Sequence, residues 1–212
     1  VVSTVKDLLT YARFHMGNGR SPSGNKIIKR KTLEAMRKKQ VNAGGRGDMG
    51  ITWFIRYADD LTVYAHGGAT HGQQAYFFYI PEKDFALAIL TNSDDGGIIT
   101  AQTFGWVLEL YFGIKLKSPK PLETPQELKE FIGRYQIGTE CFDIKVKGKQ
   151  LVYHHIPLGG FPTPETPPSP AMPPMRFAFY DHDKLIGLDE PYNGALADII
   201  RNDTGRVEYF RV

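Results

Sequence analysis

Cysteine is nearly absent from this 212-residue chain, since Cys141 is its only example. A single cysteine excludes a disulfide within the chain. The sequence also lacks an apolar run long enough to cross a bilayer as a helix, so we expect no membrane span. No basic segment followed by an apolar one opens it. That missing leader carries little weight, because the opening VVSTVKDLL has the form of a segment cut from a longer chain.

The chain also lacks a large excess of positive or negative charge. The 26 Lys and Arg residues against 23 Asp and Glu residues leave a formal net charge of +3, and one basic run stands out, IIKRK at 27–31. Such a run is more often a solvated helix face than a nucleic-acid footprint, so we expect no nucleic-acid partner. The six histidines show no metal-ligand spacing beside carboxylates or the cysteine. We expect no metal site and no cofactor.

Hydrophobic residues are plentiful at 42%, against 23% charged, which predicts a folded globular chain. Apolar residues at helical spacing predict a first helix that stops at the glycines of 17–19. Further helices are predicted over 31–40 and 98–112. On the last of these, one apolar face is predicted to hold Phe104, Val107, Leu108 and Tyr111. Trp53 and Trp106 are predicted core residues.

Strand-like runs occupy the rest of the chain. Residues 48–92 hold short β-branched and aromatic runs separated by turn residues, which predicts an antiparallel sheet. A proline-punctuated linker follows at 117–125, and 126–212 consists of close-spaced short strands, typical of a small barrel or sandwich. Eight of the 14 prolines fall in 157–175, a predicted surface loop. The predicted fold class is α+β: an antiparallel sheet with flanking helices over 1–116, followed by a small antiparallel β-barrel or sandwich.

The segment YAHGGATHGQQAYFFYIPEKDFALAILTN, at 64–92, is the most informative part of the sequence. His66-Gly67-Gly68, at the end of one strand and before a strand pair, resembles the third active-site motif of serine β-lactamases and penicillin-binding proteins. It is more similar to the class C β-lactamase-like branch, with its esterases and D-amino-acid peptidases, where His-x-Gly often replaces Lys-Thr-Gly. STVKDLLTYARFHMGNG, at 3–19, resembles the helix after that family's second motif, which commonly starts Ser-Thr-x-x-Asp-Leu.

The end of the chain resembles a lipocalin-like β-barrel that is often appended to enzymes of this branch. The likeness lies in ELKEFIGRYQIG at 127–138 and in FDIKVKGKQLVYHH at 142–155. The resemblance places the β-lactamase-like domain in 1–116 and the barrel domain in 126–212. In such enzymes the barrel is thought to restrict access to the active site or to aid assembly.

The resemblance assigns roles to four consecutive residues. Glycines at 67 and 68 let a strand edge approach a bound acyl group, because no Cβ stands in the way. The backbone N–H of Ala69 would supply one of two oxyanion donors. The His66 imidazole would donate a hydrogen bond to a substrate carboxylate or carbonyl and assist proton movement. We therefore expect His66 and Gly68 to be catalytic, with Gly67 and Ala69 at the substrate and oxyanion site.

The quartet Ser3-Thr4-Val5-Lys6 has the form of the family's Ser-x-x-Lys nucleophile motif. Its position argues against that role, because it opens the later Ser-Thr-x-x-Asp-Leu helix, whereas the family's nucleophile lies far upstream. Thr4 with Asp7 three residues on has the form of a capping pair, so Ser3 or Thr4 is expected to cap this helix. Of the two we expect Ser3 to be a capping residue, and we expect Lys6 to be exposed. The chain has no Tyr-x-Asn triplet. Nucleophile and base would then come from an N-terminal part of the same protein or from a separate chain.

These features predict part of a serine hydrolase that acts through an acyl-enzyme on a small peptide, ester or lactam. A hypothesis from a different class is a non-catalytic binding or assembly module derived from such an enzyme. Both hypotheses allow a homo-oligomer, and the family allows an extracellular, periplasmic or cytoplasmic location. In either case the sheet, without its N-terminal elements, should leave apolar surface and a strand edge uncovered.

Overall fold

The computed structural model describes residues 2–70, 72–93, 96–123, 127–138, 140–160, 163–168, 170–190 and 192–211. The chain divides into two compact units, Val1–Lys117 and Ser118–Val212.

The first unit is a six-stranded antiparallel sheet with helices on both faces, which confirms the predicted α+β class. Its helices are α1 (Val5–Met16), α2 (Arg30–Met36) and α3 (Gly96–Phe112). Its strands are β1 (Val41–Asn42), β2 (Asp48–Met49), β3 (Phe54–Ala58), β4 (Leu61–Thr70), β5 (Gln73–Ile80) and β6 (Phe85–Thr91). The strands lie in the sheet in chain order, because each connection is a turn between antiparallel neighbours.

Tight turns set the register of this sheet. Asp59 adopts a left-handed backbone (φ 50°) between β3 and β4, and Ala58 pairs with Leu61 across it. A 3-10 turn, Pro81–Lys83, followed by left-handed Asp84 joins β5 to β6. Aspartate tolerates this conformation better than most residues, which explains its use at both turns.

Strand alternation divides the apolar side chains between two faces of the sheet. Neighbouring residues on β5 separate in this way: Phe77 joins a cluster with Ala12 of α1, and Phe78 joins a cluster with Phe104 of α3. The sheet is therefore buried on both faces, by α1 on one side and α3 on the other.

Helix α1 begins with a capping box that corrects one sequence expectation. Thr4 is the N-cap residue: its hydroxyl accepts the Asp7 backbone N–H at 3.2 Å, and its own N–H donates to the Asp7 carboxylate. Ser3 lies outside the helix, so the expectation that it caps the helix is wrong. Lys6 is exposed as expected.

Helix α3 carries apolar residues on both sides, and this overturns one prediction. Phe104, Val107 and Leu108 are buried against the sheet as expected. Tyr111 is 61% exposed, but its ring centroid lies 5.4 Å from that of Phe85 on β6, so it shares their side of the helix as predicted. Trp106, a predicted core residue, is 59% exposed. Trp106 lies away from the sheet because the helical repeat that buries Val107 and Leu108 points it to the opposite side. Ile99 and Leu110, also more than half exposed, extend this uncovered apolar surface.

The second unit is a single antiparallel sheet that curls into a nearly closed barrel, which confirms the predicted barrel shape. Its strands are β7 (Gly133–Ile137), β8 (Glu140–Lys147), β9 (Gln150–His155), β10 (Met175–Asp181), β11 (Lys184–Gly187), β12 (Leu196–Arg201) and β13 (Val207–Arg211). The first and last strands face each other across an unsealed seam. Tyr135 of β7 and Phe210 of β13 meet there with ring centroids 4.7 Å apart.

Residues 118–123 of the predicted linker belong to the second unit, whereas Lys117 ends the first and 124–125 lie outside the described residues. The Leu122 N–H donates to the Phe179 carbonyl at 2.7 Å, and the Lys149 ammonium donates to the Glu123 carbonyl at 2.9 Å. The described part of the proline-rich segment between β9 and β10 contains neither helix nor strand, in agreement with a loop. No helix within the ranges given above is long and apolar enough to cross a membrane. Those ranges also hold no group of three or more His, Cys, Asp or Glu side chains that could bind a metal.

Candidate active site

The four predicted site residues, 66–69, form one exposed stretch at the end of β4, called the motif strip below. Each residue of the strip pairs with β5: His66 lies opposite Phe77, and Ala69 opposite Gln74. All four are solvent-exposed, although β4 is buried at alternate positions before them. The strip is therefore held rigidly by one neighbouring strand while it faces solvent.

Strand β3 does not reach the motif strip. The β3–β4 ladder ends where Phe54 pairs with Ala65, one residue before His66. Within the described ranges, no strand pairs with the strip on that side. A strand edge of this kind offers backbone N–H and C=O groups to an extended ligand, as in β-strand addition.

The two glycines of the strip have different surroundings. A Cβ on Gly67 would lie 3.0 Å from the Ala75 carbonyl oxygen and 3.4 Å from the Tyr76 ring, so packing against β5 restricts that position. A Cβ on Gly68 would meet no atom within 4 Å. Packing within this chain therefore does not require glycine at 68, whereas a closely bound ligand would.

An aromatic ring and a cation lie next to the strip. The Phe54 ring centroid is 5.8 Å from the His66 ring centroid. The Arg46 guanidinium lies over the Phe54 ring, 5.8 Å from its centroid. Sequence reasoning missed both residues. Phe54 could have been found from the sequence. A two-residue turn at Asp59-Asp60 pairs Ala58 with Leu61, and counting back along both strands pairs Phe54 with Ala65, next to His66. No local pattern marks Arg46.

A second histidine of this unit is a core residue. His15 is 2% exposed, and its ring centroid is 4.4 Å from that of Tyr11 and 5.0 Å from that of Trp53. Burial, helped by the positive charge of Arg37, lowers the pKa of His15 to about 4. His15 is therefore neutral at pH 7. Trp53 is 3% exposed, which confirms it as a core residue.

One sequence pattern was overlooked and proves to lie in a turn. Ser23-Gly24-Asn25-Lys26 fits both Ser-x-Asn and Ser-x-x-Lys. These residues follow α1 in an exposed turn, where the Ser23 hydroxyl lies 2.7 Å from the Ser21 hydroxyl and the Gly24 N–H donates to the Ser21 carbonyl. The nucleophile pattern needs a helical turn to bring serine and lysine together, and this segment has none.

Comparison with known proteins shows what the first unit is similar to. Residues 1–102 match the β-lactamase family. Penicillin-binding protein 4 of Amycolatopsis lactamdurans is 27% identical to this chain over 106 residues, which are 48% of this chain and 27% of that protein. The relation to β-lactamases and penicillin-binding proteins predicted from the His-Gly-Gly strand and the Ser-Thr-x-x-Asp-Leu helix is thus confirmed, and it relates the unit to serine hydrolases.

Two solved structures share the fold of both units of this chain. The crystal structures of SurE with D-Leu and of SurE align with a TM-score of 0.65, at 18% and 19% identity, over 98% of this chain. At such identities the likeness shows the fold alone. The alignments take in 48% and 46% of the SurE chains. The chain thus spans about half the length of SurE and about a quarter of its penicillin-binding relative.

Proposed function

We propose that the β-lactamase-like unit forms one wall of a serine hydrolase active site, whose Ser-x-x-Lys and Tyr-x-Asn motifs come from a further part of the protein or from a separate chain. The observation that carries the proposal is the motif strip, which stays exposed where β4 continues past β3.

The chemistry is acyl transfer in two steps. The supplied serine hydroxyl attacks the carbonyl carbon of an amide, ester or lactam and loses its proton to the supplied base. The C–N or C–O bond then breaks, and the amine or alcohol takes up that proton as it leaves. Water hydrolyses the resulting acyl ester, which releases a carboxylic acid and restores the serine.

Three residues of the strip act directly in this scheme, and Gly67 completes the strand wall between His66 and Gly68. The Ala69 N–H donates to the oxyanion that forms on the carbonyl oxygen. The open space at Gly68 admits the acyl group against the strand. His66 donates a hydrogen bond to the substrate and assists proton movement. Arg46, beside Phe54, adds positive charge close to the strip and favours substrates with a carboxylate.

Uncovered apolar surface supports a missing partner segment. Trp106 and Leu110 of α3 are more than half exposed, and β6 is the last strand of its sheet. An apolar edge strand such as FALAILT is a template for pairing with another strand. The segment that brings the nucleophile would cover this edge and the outer face of α3.

A D-amino-acid residue is the substrate feature that the comparisons favour. SurE was crystallised with D-Leu. We extend this to the present chain and expect its completed site to prefer amides or esters whose acyl group is a D-residue over the same compounds of the L-residue.

The test uses the protein isolated from its source, with its native partners retained. Its mass is measured under native and denaturing conditions, and it is then treated with a fluorescent penicillin and with the p-nitroanilides of D-leucine and L-leucine. We expect a chain longer than 212 residues or a tightly held partner, a covalent penicillin adduct on it, and faster hydrolysis of the D-compound.

Matched histidine variants then test this chain's own part. His66→Ala should slow acylation by about ten-fold or more, as expected for loss of a proton-transfer group. His182→Ala, an exposed histidine of the second unit, should leave the rate unchanged. A lone 23.9 kDa chain that forms no adduct and hydrolyses neither compound would instead support the non-catalytic binding module.

A further inference from the structure

The interior of the barrel contains an apolar cavity of about 180 Å³. Its wall consists of aliphatic and aromatic side chains from six of the seven strands and from the segments that precede β10 and β12. Six of them are Phe142, Leu151, Tyr153, Met175, Phe177 and Leu185. Among the residues that the structure describes, no charged side chain contributes to this wall.

Only one end of the barrel is filled. Phe131 and Phe179 are 0% and 1% exposed and pack together with ring centroids 5.3 Å apart. The Arg201 guanidinium covers the Phe131 ring at 5.6 Å. Neither phenylalanine lines the cavity, which therefore lies toward the opposite end of the barrel.

The cavity meets solvent beside Met172 and Tyr192. Both residues line it, and Tyr192 is 42% exposed. The Tyr192 hydroxyl lies 3.9 Å from the Met172 sulfur, and the Met172 N–H donates to Nδ1 of His155 at 3.3 Å. These contacts hold the end of the proline-rich segment at the rim. An unbranched thioether at this place adapts to an entering group at little cost.

We propose that this cavity is a binding site for a small uncharged aromatic molecule about the size of toluene. The volume decides the size class, because an apolar cavity of about 150 Å³ in another protein stays dry and takes up benzene. Aromatic walls decide the preference for a ring: Phe142 stacks on Tyr153 at 4.6 Å, and Phe210 approaches Phe142 edge-on at 6.0 Å.

The same wall excludes a charged ligand. A carboxylate that enters loses its hydration, and the wall offers it no cation in return. Benzoate, which has the ring of toluene and one negative charge, should therefore bind far more weakly. The cavity is lined by residues of the second unit alone and by none of the motif strip, so its presence does not depend on the proposed hydrolase function.

The five methionines of the full chain provide the measurement. Met172 and Met175 line the cavity, whereas Met16, Met36 and Met49 belong to the first unit. With ¹³C-labelled methionine methyl groups, toluene should shift the first two signals saturably through its ring current and leave the other three in place. Benzoate at the same concentrations should shift none of them.

Two Ala→Phe variants provide the matched comparison. Ala195 lines the cavity, so Ala195→Phe fills it and should weaken toluene binding by about ten-fold or more. Ala101→Phe, on an exposed position of α3, should bind as the unchanged chain does. Equal shifts of all five signals, no saturation, equal shifts with benzoate, or unchanged binding by a folded Ala195→Phe would each overturn the proposal. If Ala195→Phe does not fold, the toluene and benzoate titrations of the unchanged chain decide alone.

Discussion

Arg201 and Glu130 are joined by two hydrogen bonds of 2.8 and 2.9 Å, although 71 residues separate them in the chain. The same guanidinium binds the Asp183 carboxylate at 2.6 and 2.9 Å. One side chain thus ties the 3-10 turn before β7 to the end of β12 and to the β10–β11 turn, and so closes the filled end of the barrel.

Arg201→Met should destabilise the second unit by about 2 kcal/mol, because it removes the guanidinium that binds both the largely buried Asp183 carboxylate and the more exposed Glu130 carboxylate. Arg134→Met is the matched control: that side chain is 63% exposed and binds Asp143 on the surface, so no measurable change is expected. Both tryptophans lie in the first unit, so unfolding of the second is followed by the Met172 and Met175 methyl signals. Equal stability of the two variants would contradict the role of Arg201.

Gly68→Ala should leave folding unchanged and impair acylation. The added methyl group meets no atom of this chain within 4 Å, but it projects into the space assigned to the substrate. The measurements are the unfolding free energy of the chain and the rate of fluorescent-penicillin labelling of the completed protein. Unaltered labelling would remove Gly68 from the site.

Thr4→Ala should lower the unfolding free energy of the first unit by about 1 kcal/mol, since it removes the cap of α1. Ser3→Ala should cost nothing, because Ser3 lies outside the capping box. Urea unfolding followed by tryptophan fluorescence reports the difference, as Trp53 belongs to the cluster that α1 covers. A larger effect of Ser3→Ala would reverse the assignment of the cap.

The stability of the first unit should fall as the pH falls from about 6.5 toward 4. Folding lowers the pKa of His15 to about 4, so between these pH values His15 is protonated in the unfolded chain and neutral in the folded chain. The loss approaches about 1 kcal/mol per pH unit. In His15→Phe this part of the pH slope should disappear, because phenylalanine fills the site between Tyr11, Trp53 and Tyr79 without titrating. An unchanged slope in that variant would mean that other groups cause the acid sensitivity.

Two glycines of α3 should respond to alanine in opposite directions. A methyl group on Gly96 would collide with the Thr91 hydroxyl and with Cβ of Gln74, so Gly96→Ala should destabilise by about 1–3 kcal/mol. Gly105 has open space around it, so Gly105→Ala should stabilise by up to about 1 kcal/mol through helix propensity. Thermal unfolding of both variants gives the sign of each effect.

Local sequence signals located most elements and the motif strip. The helix repeat, the two-residue aspartate turn and the His66-Gly67-Gly68 strand end are short-range patterns, and backbone geometry makes such patterns predictive. The turn would also have given the register of β3 against β4, and with it the position of Phe54 beside His66, but this step was not taken from the sequence.

Other features depended on tertiary contacts. The sequence by itself determined that the chain is an α+β protein with a sheet and a barrel, and where a β-lactamase-like strand motif lies. Only the tertiary structure decided that β3 stops short of His66, that Trp106 is exposed, and that one end of the barrel is unfilled. Each of these features depends on which side chains, distant in the sequence, pack around a residue, and local periodicity does not predict that packing.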